Sequence, residues 1–174
     1  TKHTGLVTAD RFCGDDWRTL SPARSAAARG RIGRVFDPPG WISNLDVDEN
    51  VLLAGRFYRR GPDTALRAEA ESLALQFGLN GLPQARPSKV SRSDLRSAEW
   101  VRALVGEPDL LLLENPERGA QPDRVRALRE AVQSARRRGA AVLWMRSESA
   151  GGVPAELEPT GVFRLSGGVF QAEA

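Results

Sequence analysis

Apolar residues along this chain alternate between strand-like and helix-like spacings. Four consecutive leucines at residues 110–113 are typical of a parallel strand that helices cover on both faces. A helix is predicted to begin at Pro122, because the apolar residues that follow are spaced by three and four. A second strand is predicted at Ala141–Met145. This strand–helix–strand order predicts a right-handed parallel crossover in an α/β protein.

The same pattern predicts further elements on either side of this unit. Apolar spacing and capping residues predict helices at residues 22–29, 51–58, 63–77 and 92–105, with residues 41–50 as a loop. Strands are predicted at residues 6–12 and 32–36. Two consecutive glycines between apolar runs predict a C-terminal hairpin at residues 162–170.

Composition narrows the possible chemistry. The chain has 174 residues, a formal net charge of +3, one cysteine (Cys13) and one histidine (His3). A lone cysteine cannot form an internal disulfide, which favours a reducing compartment. We expect no metal site, because the single histidine lies in a polar N-terminal stretch. No apolar run approaches the roughly 20 residues that a membrane-spanning helix needs.

Lysine is almost absent from the chain, and this bears on phosphate binding. Lys2 and Lys89 are the only lysines, and neither follows a glycine. The sequence therefore lacks the phosphate-binding loop G-x-x-x-x-G-K-[ST], in which a lysine reaches the phosphates. The chain also begins at Thr1 without a methionine, and we expect an N-terminal portion to be missing from it.

Polar residues follow three of the predicted strands. Asp37 follows the strand at residues 32–36, Glu114 and Asn115 follow the four leucines, and Ser147 follows the last parallel strand. The carboxyl ends of parallel strands meet at one edge of a sheet, where open α/β folds bind their ligands. We therefore expect these four residues to lie along the same edge.

The order of these motifs resembles that of the ATP-binding domains of ABC transporters. Glu114-Asn115 stands where this family has the Asp-Glu of Walker B, and Gln121-Pro122 stands where its D-loop has Asp-Pro. Asp37 stands in the place of the Q-loop glutamine, and Ser147 in the place of the H-loop histidine. The resemblance is thus to a degenerate member of the family that lacks Walker A in this chain.

Two more segments carry the resemblance. Ser91, Arg92 and Ser93 stand in the place of the L-S-G-G-Q signature and keep only its serine. Residues 44–51 are similar to the family's L-T-V-x-E-N-V and match its E-N-V letter for letter. The sequence of residues 41–45 resembles the corresponding segment in the ATPase subunits of MCE-type lipid transporters.

The resemblance implies a fold and a domain division. We expect a P-loop NTPase-like parallel sheet core with an inserted helical subdomain and an N-terminal antiparallel β part, truncated at its N-terminus. The boundaries are residues 1–61 for the partial β and core part with the Q-loop-like segment, 62–106 for the helical subdomain, and 107–174 for the core with the Walker B-like strand.

The resemblance also implies what the substitutions do to catalysis. In the family, the glutamate at the place of Asn115 activates the attacking water, and losing a general base costs about 10²–10⁴ in rate. An anion at Asp37 repels a triphosphate that has no compensating metal. We expect this chain by itself to be a pseudo-ATPase without a cofactor. ATP and Mg²⁺ would bind only if an intact Walker A lies upstream, and slow hydrolysis by such a protein is the alternative.

Partners and location follow from the resemblance as well. The family docks its membrane permease in a cleft whose counterpart here contains Trp41, Ile42, Leu45, Phe57 and Tyr58, although these residues could equally be core. We expect a permease or a second ABC ATPase as partner, and a cytoplasmic location at the inner membrane through that partner. A nucleic-acid-binding domain is the less favoured interpretation, because the arginines are scattered along the chain.

Overall fold

A three-stranded parallel sheet forms the centre of the computed structural model, which describes residues 11–12, 15–58, 60–147 and 154–172. The strands are β1 (Arg11–Phe12), β2 (Asp15–Asp16), β3 (Ile32–Val35), β4 (Leu110–Glu114), β5 (Ala141–Met145), β6 (Phe163–Ser166) and β7 (Val169–Ala172). The helices are α1 (Pro22–Arg29), α2 (Val47–Phe57), α3 (Asp63–Gln76), α4 (Arg92–Leu104) and α5 (Pro122–Arg137). His3, Cys13 and most of the strand predicted at residues 6–12 lie outside the described residues.

The sheet topology confirms the predicted fold class. The strand order is β3-β4-β5, all parallel, and the register pairs Val35 with Leu113 and Leu113 with Trp144. Near the N-terminus, β1 and β2 form an antiparallel pair, and β6 and β7 form the predicted C-terminal hairpin. Helix α5 connects the parallel neighbours β4 and β5.

The two faces of the parallel sheet differ in burial. Leu111 and Leu113 of β4 are fully buried, whereas Leu110 and Leu112 are half-buried and Leu143 of β5 is half exposed. One face of β4 is therefore closed by the core, and the other is partly covered by the part of the chain that the structure describes. Four leucines make both faces of a strand apolar, whether or not a helix covers each of them.

Helix α4 packs against β3 so closely that one position admits no side chain. A Cβ atom added to Gly33 would lie 1.8 Å from the carbonyl oxygen of Ala103, a backbone atom in the last turn of α4. Glycine at this position is what allows the helix backbone to rest on the strand.

Helix α4 is buried on more than one side. Ala98 and Val101 are fully buried, and so are Glu99 and Trp100 beside them. The Trp100 ring meets Phe77 of the α3 end edge-on, with the ring centroids 5.5 Å apart. Because the helix is surrounded by α2, α3 and β3, apolar spacing alone underestimates how much of it is covered.

Helix α2 begins at Val47 and not at residue 51, so the predicted loop at residues 41–50 is too long. Asp46 is the N-cap residue, and its backbone N–H donates to Glu49 Oε2 at 2.7 Å. An acceptor side chain three residues after the N-cap is a known start signal for helices.

No helix in residues 11–12, 15–58, 60–147 and 154–172 is both long and apolar enough to cross a membrane.

Candidate functional site

Four polar residues meet at the carboxyl edge of the parallel sheet, as their positions after the strands predict. The backbone N–H of Asp37 donates to Glu114 Oε2 at 3.3 Å. Asn115 Nδ2 donates to Asp37 Oδ2 at 2.8 Å, and the backbone N–H of Ser147 donates to Asn115 Oδ1 at 2.8 Å. The segments that follow β3, β4 and β5 are thus joined by hydrogen bonds through one side chain, that of Asn115.

The backbone of Asn115 fixes its side chain at this junction. Its φ is +42°, a left-handed conformation that asparagine adopts more readily than most residues. Its N–H donates to the carbonyl of Met145 at 2.9 Å, and its own carbonyl accepts from the Arg118 N–H at 3.0 Å. The amide side chain donates to one neighbour and accepts from another, which an ionised carboxylate here could not do.

The carboxylate of Asp37 already has a cationic partner. Arg118 Nη1 lies 2.7 Å from Asp37 Oδ2, the same oxygen that accepts from Asn115. Glu114 has a looser contact, since Arg34 Nη2 is 3.7 Å from its Oε1. Within the described ranges, no three acidic, histidine or cysteine side chains are grouped so that they could hold a metal ion. The edge therefore presents the amide of Asn115, the carboxylate of Asp37 paired with a guanidinium, and the carboxylate of Glu114.

The signature-like residues stabilise the start of α4. Ser91 Oγ accepts from the Asp94 N–H at 3.1 Å and so caps the helix. Arg124 of α5 donates to Ser93 Oγ at 3.3 Å and to Asp94 Oδ1 at 2.8 Å, and the latter bond lowers the pKa of Asp94. Arg92 is exposed on the first turn. Ser91 and Ser93 are therefore engaged in holding α4 to itself and to α5.

Gln121 lies at the other end of the turn that follows Asn115. It is the exposed N-cap residue of α5, directly before Pro122 at the first helical position. Proline is favoured there because it has no N–H to leave unpaired. Gln121 thus lies on the surface at the start of a helix, and its side chain makes no capping hydrogen bond to α5.

The residues predicted as a partner cleft divide into an exposed group and an inward-facing group. Ile42 and Phe57 are exposed. Leu45 is half-buried. Trp41 packs against the core with the Arg102 guanidinium 4.5 Å from its ring centre, and Tyr58 packs against Gly30. Only part of the predicted set is therefore available to a partner.

Leu53 is an exposed apolar residue that the sequence interpretation missed. It lies four residues before Phe57 on α2, and residues four apart share one side of a helix. Ile42, from the loop before α2, is exposed as well, and we name these three exposed apolar residues the docking surface (Ile42, Leu53 and Phe57) for the role proposed below. The signal that would have found Leu53 is helical spacing, because the helix predicted at residues 51–58 already contains both Leu53 and Phe57.

Helix α4 carries a buried cluster of charged residues. Glu99 of α4 is 1% exposed and its Oε2 accepts from Arg96 Nη1 at 2.6 Å. Burial raises the pKa of Glu99 to about 7, with Arg96 and Arg102 acting in the opposite direction and Asp37 adding to the rise. Burial also lowers the pKa of Arg102, whose Nη1 donates to the Gly40 carbonyl at 2.8 Å. None of these residues was singled out from the sequence, because apolar periodicity does not register buried charges.

Known proteins of similar sequence are ATP-binding proteins of transport systems. No family model matches the chain. It is 33% identical over 134 residues to the Nod factor export ATP-binding protein I of Paraburkholderia xenovorans. The aligned segment covers 76% of this chain and 42% of that protein. It is 27% identical over 111 residues to the intermembrane phospholipid transport system ATP-binding protein MlaF of Escherichia coli. This alignment covers 64% of this chain and 41% of that protein. The chain thus spans about two fifths of the length of these relatives.

Solved structures of similar shape carry the same fold. The ATP-binding subunit of an ABC transporter matches 75% of this chain and 52% of its own, with a TM-score of 0.65 and 21% identity. A dimeric ATP-binding cassette bound to ADP and phosphate matches 79% of this chain and 62% of its own, with a TM-score of 0.66 and 18% identity.

Proposed function

This chain is a homologue of the ATP-binding domains of ABC transporters, and from this premise we propose that it is a non-hydrolysing partner subunit of a membrane transport system. The observation that carries the proposal is the position of Asn115. Its side chain occupies the junction of the sheet edge and is committed to Asp37 and to the Ser147 N–H. An amide that donates to one neighbour and accepts from another cannot take a proton from water.

The nearest carboxylate does not replace the missing base. Asp37 accepts from Asn115 and is paired with Arg118 at 2.7 Å. Two donors, the Asn115 amide and the Arg118 guanidinium, therefore already occupy the Oδ2 atom of this carboxylate. Glu114 remains as a carboxylate that could approach a Mg²⁺ ion, but the residues that the structure describes do not fit a complete Mg²⁺–triphosphate site.

The proposed role is that of a partner. Leu53 and Phe57 are exposed one helical turn apart on α2, Ile42 is exposed in the loop before this helix, and exposed apolar residues of this kind mark an interaction site. We assign this surface to a membrane permease, with a second ABC ATPase as the further partner, at the cytoplasmic face of the inner membrane. The similarity to MlaF supports a lipid as the transported substrate, and so does the resemblance of residues 41–45 to MCE-type ATPase subunits.

Phosphate release tests the loss of hydrolysis. The protein at its full natural length is expected to release phosphate from Mg-ATP no faster than a buffer blank, and Glu114→Ala should change nothing, because no base is present at Asn115. Glu107→Ala, which removes an exposed carboxylate elsewhere, serves as the control. Release above the blank that disappears in Glu114→Ala but persists in Glu107→Ala would support the alternative, a hydrolysing subunit with its Walker A upstream.

Partner binding tests the docking surface. Phe57→Ala should weaken binding to the cognate permease by about 1–3 kcal/mol, the range of an aromatic anchor at an interface. The melting temperature should change little, because the Phe57 side chain is 73% exposed. Leu75→Ala on α3 is the matched control, since it removes an apolar side chain of similar exposure (64%) outside the surface. Equal affinities for the two variants would leave the docking surface without support.

A further inference from the structure

Asn50 is a buried amide that holds the loop before α2 in one conformation. It lies on the first turns of α2 and is 4% exposed. Its Nδ2 donates to the carbonyls of Ile42, Leu45 and Asp46 at 3.1, 3.3 and 2.9 Å. Its Oδ1 accepts from the Ile42 N–H at 2.9 Å. One side chain therefore satisfies most of the polar backbone groups of the loop that faces it.

The chemistry of this contact requires an amide. Ile42 offers both its N–H and its carbonyl to Asn50, so the side chain must donate and accept at once. Aspartate has the same shape but can only accept when ionised, and it would face three carbonyl oxygens. Unpaired backbone groups at a buried position cost free energy, so the loop would have to open towards water.

The loop that Asn50 holds carries one part of the docking surface. Ile42 comes from the loop, whereas Leu53 and Phe57 come from α2. Asn50 belongs to α2 and binds the backbone of Ile42 at both of its polar atoms. Hydrogen bonds from the Asn50 side chain therefore tie Ile42 directly to α2, whereas Arg86 and Arg102 hold the loop at Asn44 and Gly40.

We propose that Asn50 is a positioning residue for partner docking, which fixes Ile42 relative to Leu53 and Phe57 so that the three meet the partner as one rigid surface. This inference rests on the proposed docking function. Its energetic basis is preorganisation: a loop that is already ordered loses less freedom when the partner binds.

The matched variants are Asn50→Asp and Asp48→Asn. Both exchange an amide and a carboxylate of the same shape at a buried position of α2, since Asp48 is 7% exposed. Asp48 differs in its partner, because it pairs with Arg67 of α3 at 3.0 Å and so serves the helix packing. A purely structural role would make the two variants behave alike in partner binding.

Photo-cross-linking in cells measures docking even when the partner has not been identified. A photoreactive phenylalanine analogue replaces Leu53 in the full-length protein, and the readout is the yield of cross-linked product that contains a membrane-spanning polypeptide. Asn50→Asp is expected to lower this yield about five- to tenfold, because the loop is no longer preorganised. Asp48→Asn should leave it within about twofold, even if it lowers the melting temperature more.

Hydrogen exchange supplies the second readout. The Ile42 amide should exchange faster in Asn50→Asp than in Asp48→Asn, because an ionised carboxylate at position 50 repels the carbonyl oxygens of Ile42, Leu45 and Asp46 and so opens the loop. If Asn50→Asp does not fold, Asn50→Ala removes the same bonds without burying a charge and is measured in its place.

The outcomes distinguish a failure of the proposed docking function from a failure of the proposed role of Asn50. No cross-link to a membrane-spanning polypeptide in the otherwise native protein would overturn the docking function and the role of Asn50 with it. A native cross-link that Asn50→Asp and Asn50→Ala leave unchanged, although the Ile42 amide exchanges faster, would overturn the role of Asn50 alone.

Discussion

Gly33→Ala is expected to destabilise the protein by at least about 3 kcal/mol, beyond the usual range for adding a methyl group to a packed core. The added Cβ would lie 1.8 Å from the Ala103 carbonyl oxygen and 2.9 Å from Leu111 Cδ2. The first of these is a backbone atom of α4, so no side-chain rotation relieves the overlap. Helix and strand would have to separate, and the contact of α4 with β3 would be lost.

Denaturant unfolding measures this effect, with Gly40→Ala as the control. The nearest atom to a Cβ at Gly40 is Phe36 Cδ2 at 4.0 Å, an ordinary contact, so that variant should lie within about 1 kcal/mol of the native protein. If Gly33→Ala is too unstable to purify, the soluble fraction on expression gives the same comparison. Similar unfolding curves for both variants would contradict the close packing of α4 on β3.

The Glu99 carboxyl is expected to make stability fall as the pH rises from about 5 to about 7. Burial raises its pKa in the folded protein to about 7 from an ordinary value of 4.5. The folded state therefore binds a proton in this window that the unfolded state does not. The stabilisation is fully present below the unfolded pKa and is lost as the pH rises through the folded pKa. The pKa difference corresponds to about 3–4 kcal/mol.

Glu99→Gln provides the comparison, because glutamine is neutral at every pH in the window. Unfolding free energies at several pH values from about 5 to about 8 should fall for the native protein and change much less for Glu99→Gln. Glu107→Gln, at a side chain that is 70% exposed, should keep the native pH dependence. A native profile that Glu99→Gln leaves intact would assign the titration to other groups.

Much of the site could be predicted because it follows from strand order. Asp37, Glu114, Asn115 and Ser147 come after strands that are parallel, so their meeting at one edge needed only the sequence positions and the rule for parallel sheets. The partners of these residues could not be predicted in the same way. Arg118 reaches Asp37 from a turn on another segment, and which arginine fills such a place depends on the packed backbone.

The helical part shows the same limit. Apolar spacing found α3 and α4 but could not indicate that Glu99 is buried, because a charged residue interrupts the pattern on which the prediction depends. The start of α2 was missed for a related reason. Val47 and Val51 are fully buried in the helix, but the intervening acidic residues resemble a polar loop until Asp46 and Glu49 are recognised as a capping pair.

The hydrogen bond between Asn115 and Asp37 has a consequence for how these two positions can change. In the arrangement that the family resemblance implies, the acid is a glutamate at position 115 and the amide a glutamine at position 37, the reverse of what is found here. Changing Asn115 to glutamate by itself would set two carboxylates against each other, so that step is unfavourable until Asp37 has changed as well. We therefore expect substitutions at the two positions to be epistatic, so that reaching the arrangement that the resemblance implies takes two coordinated substitutions and not one.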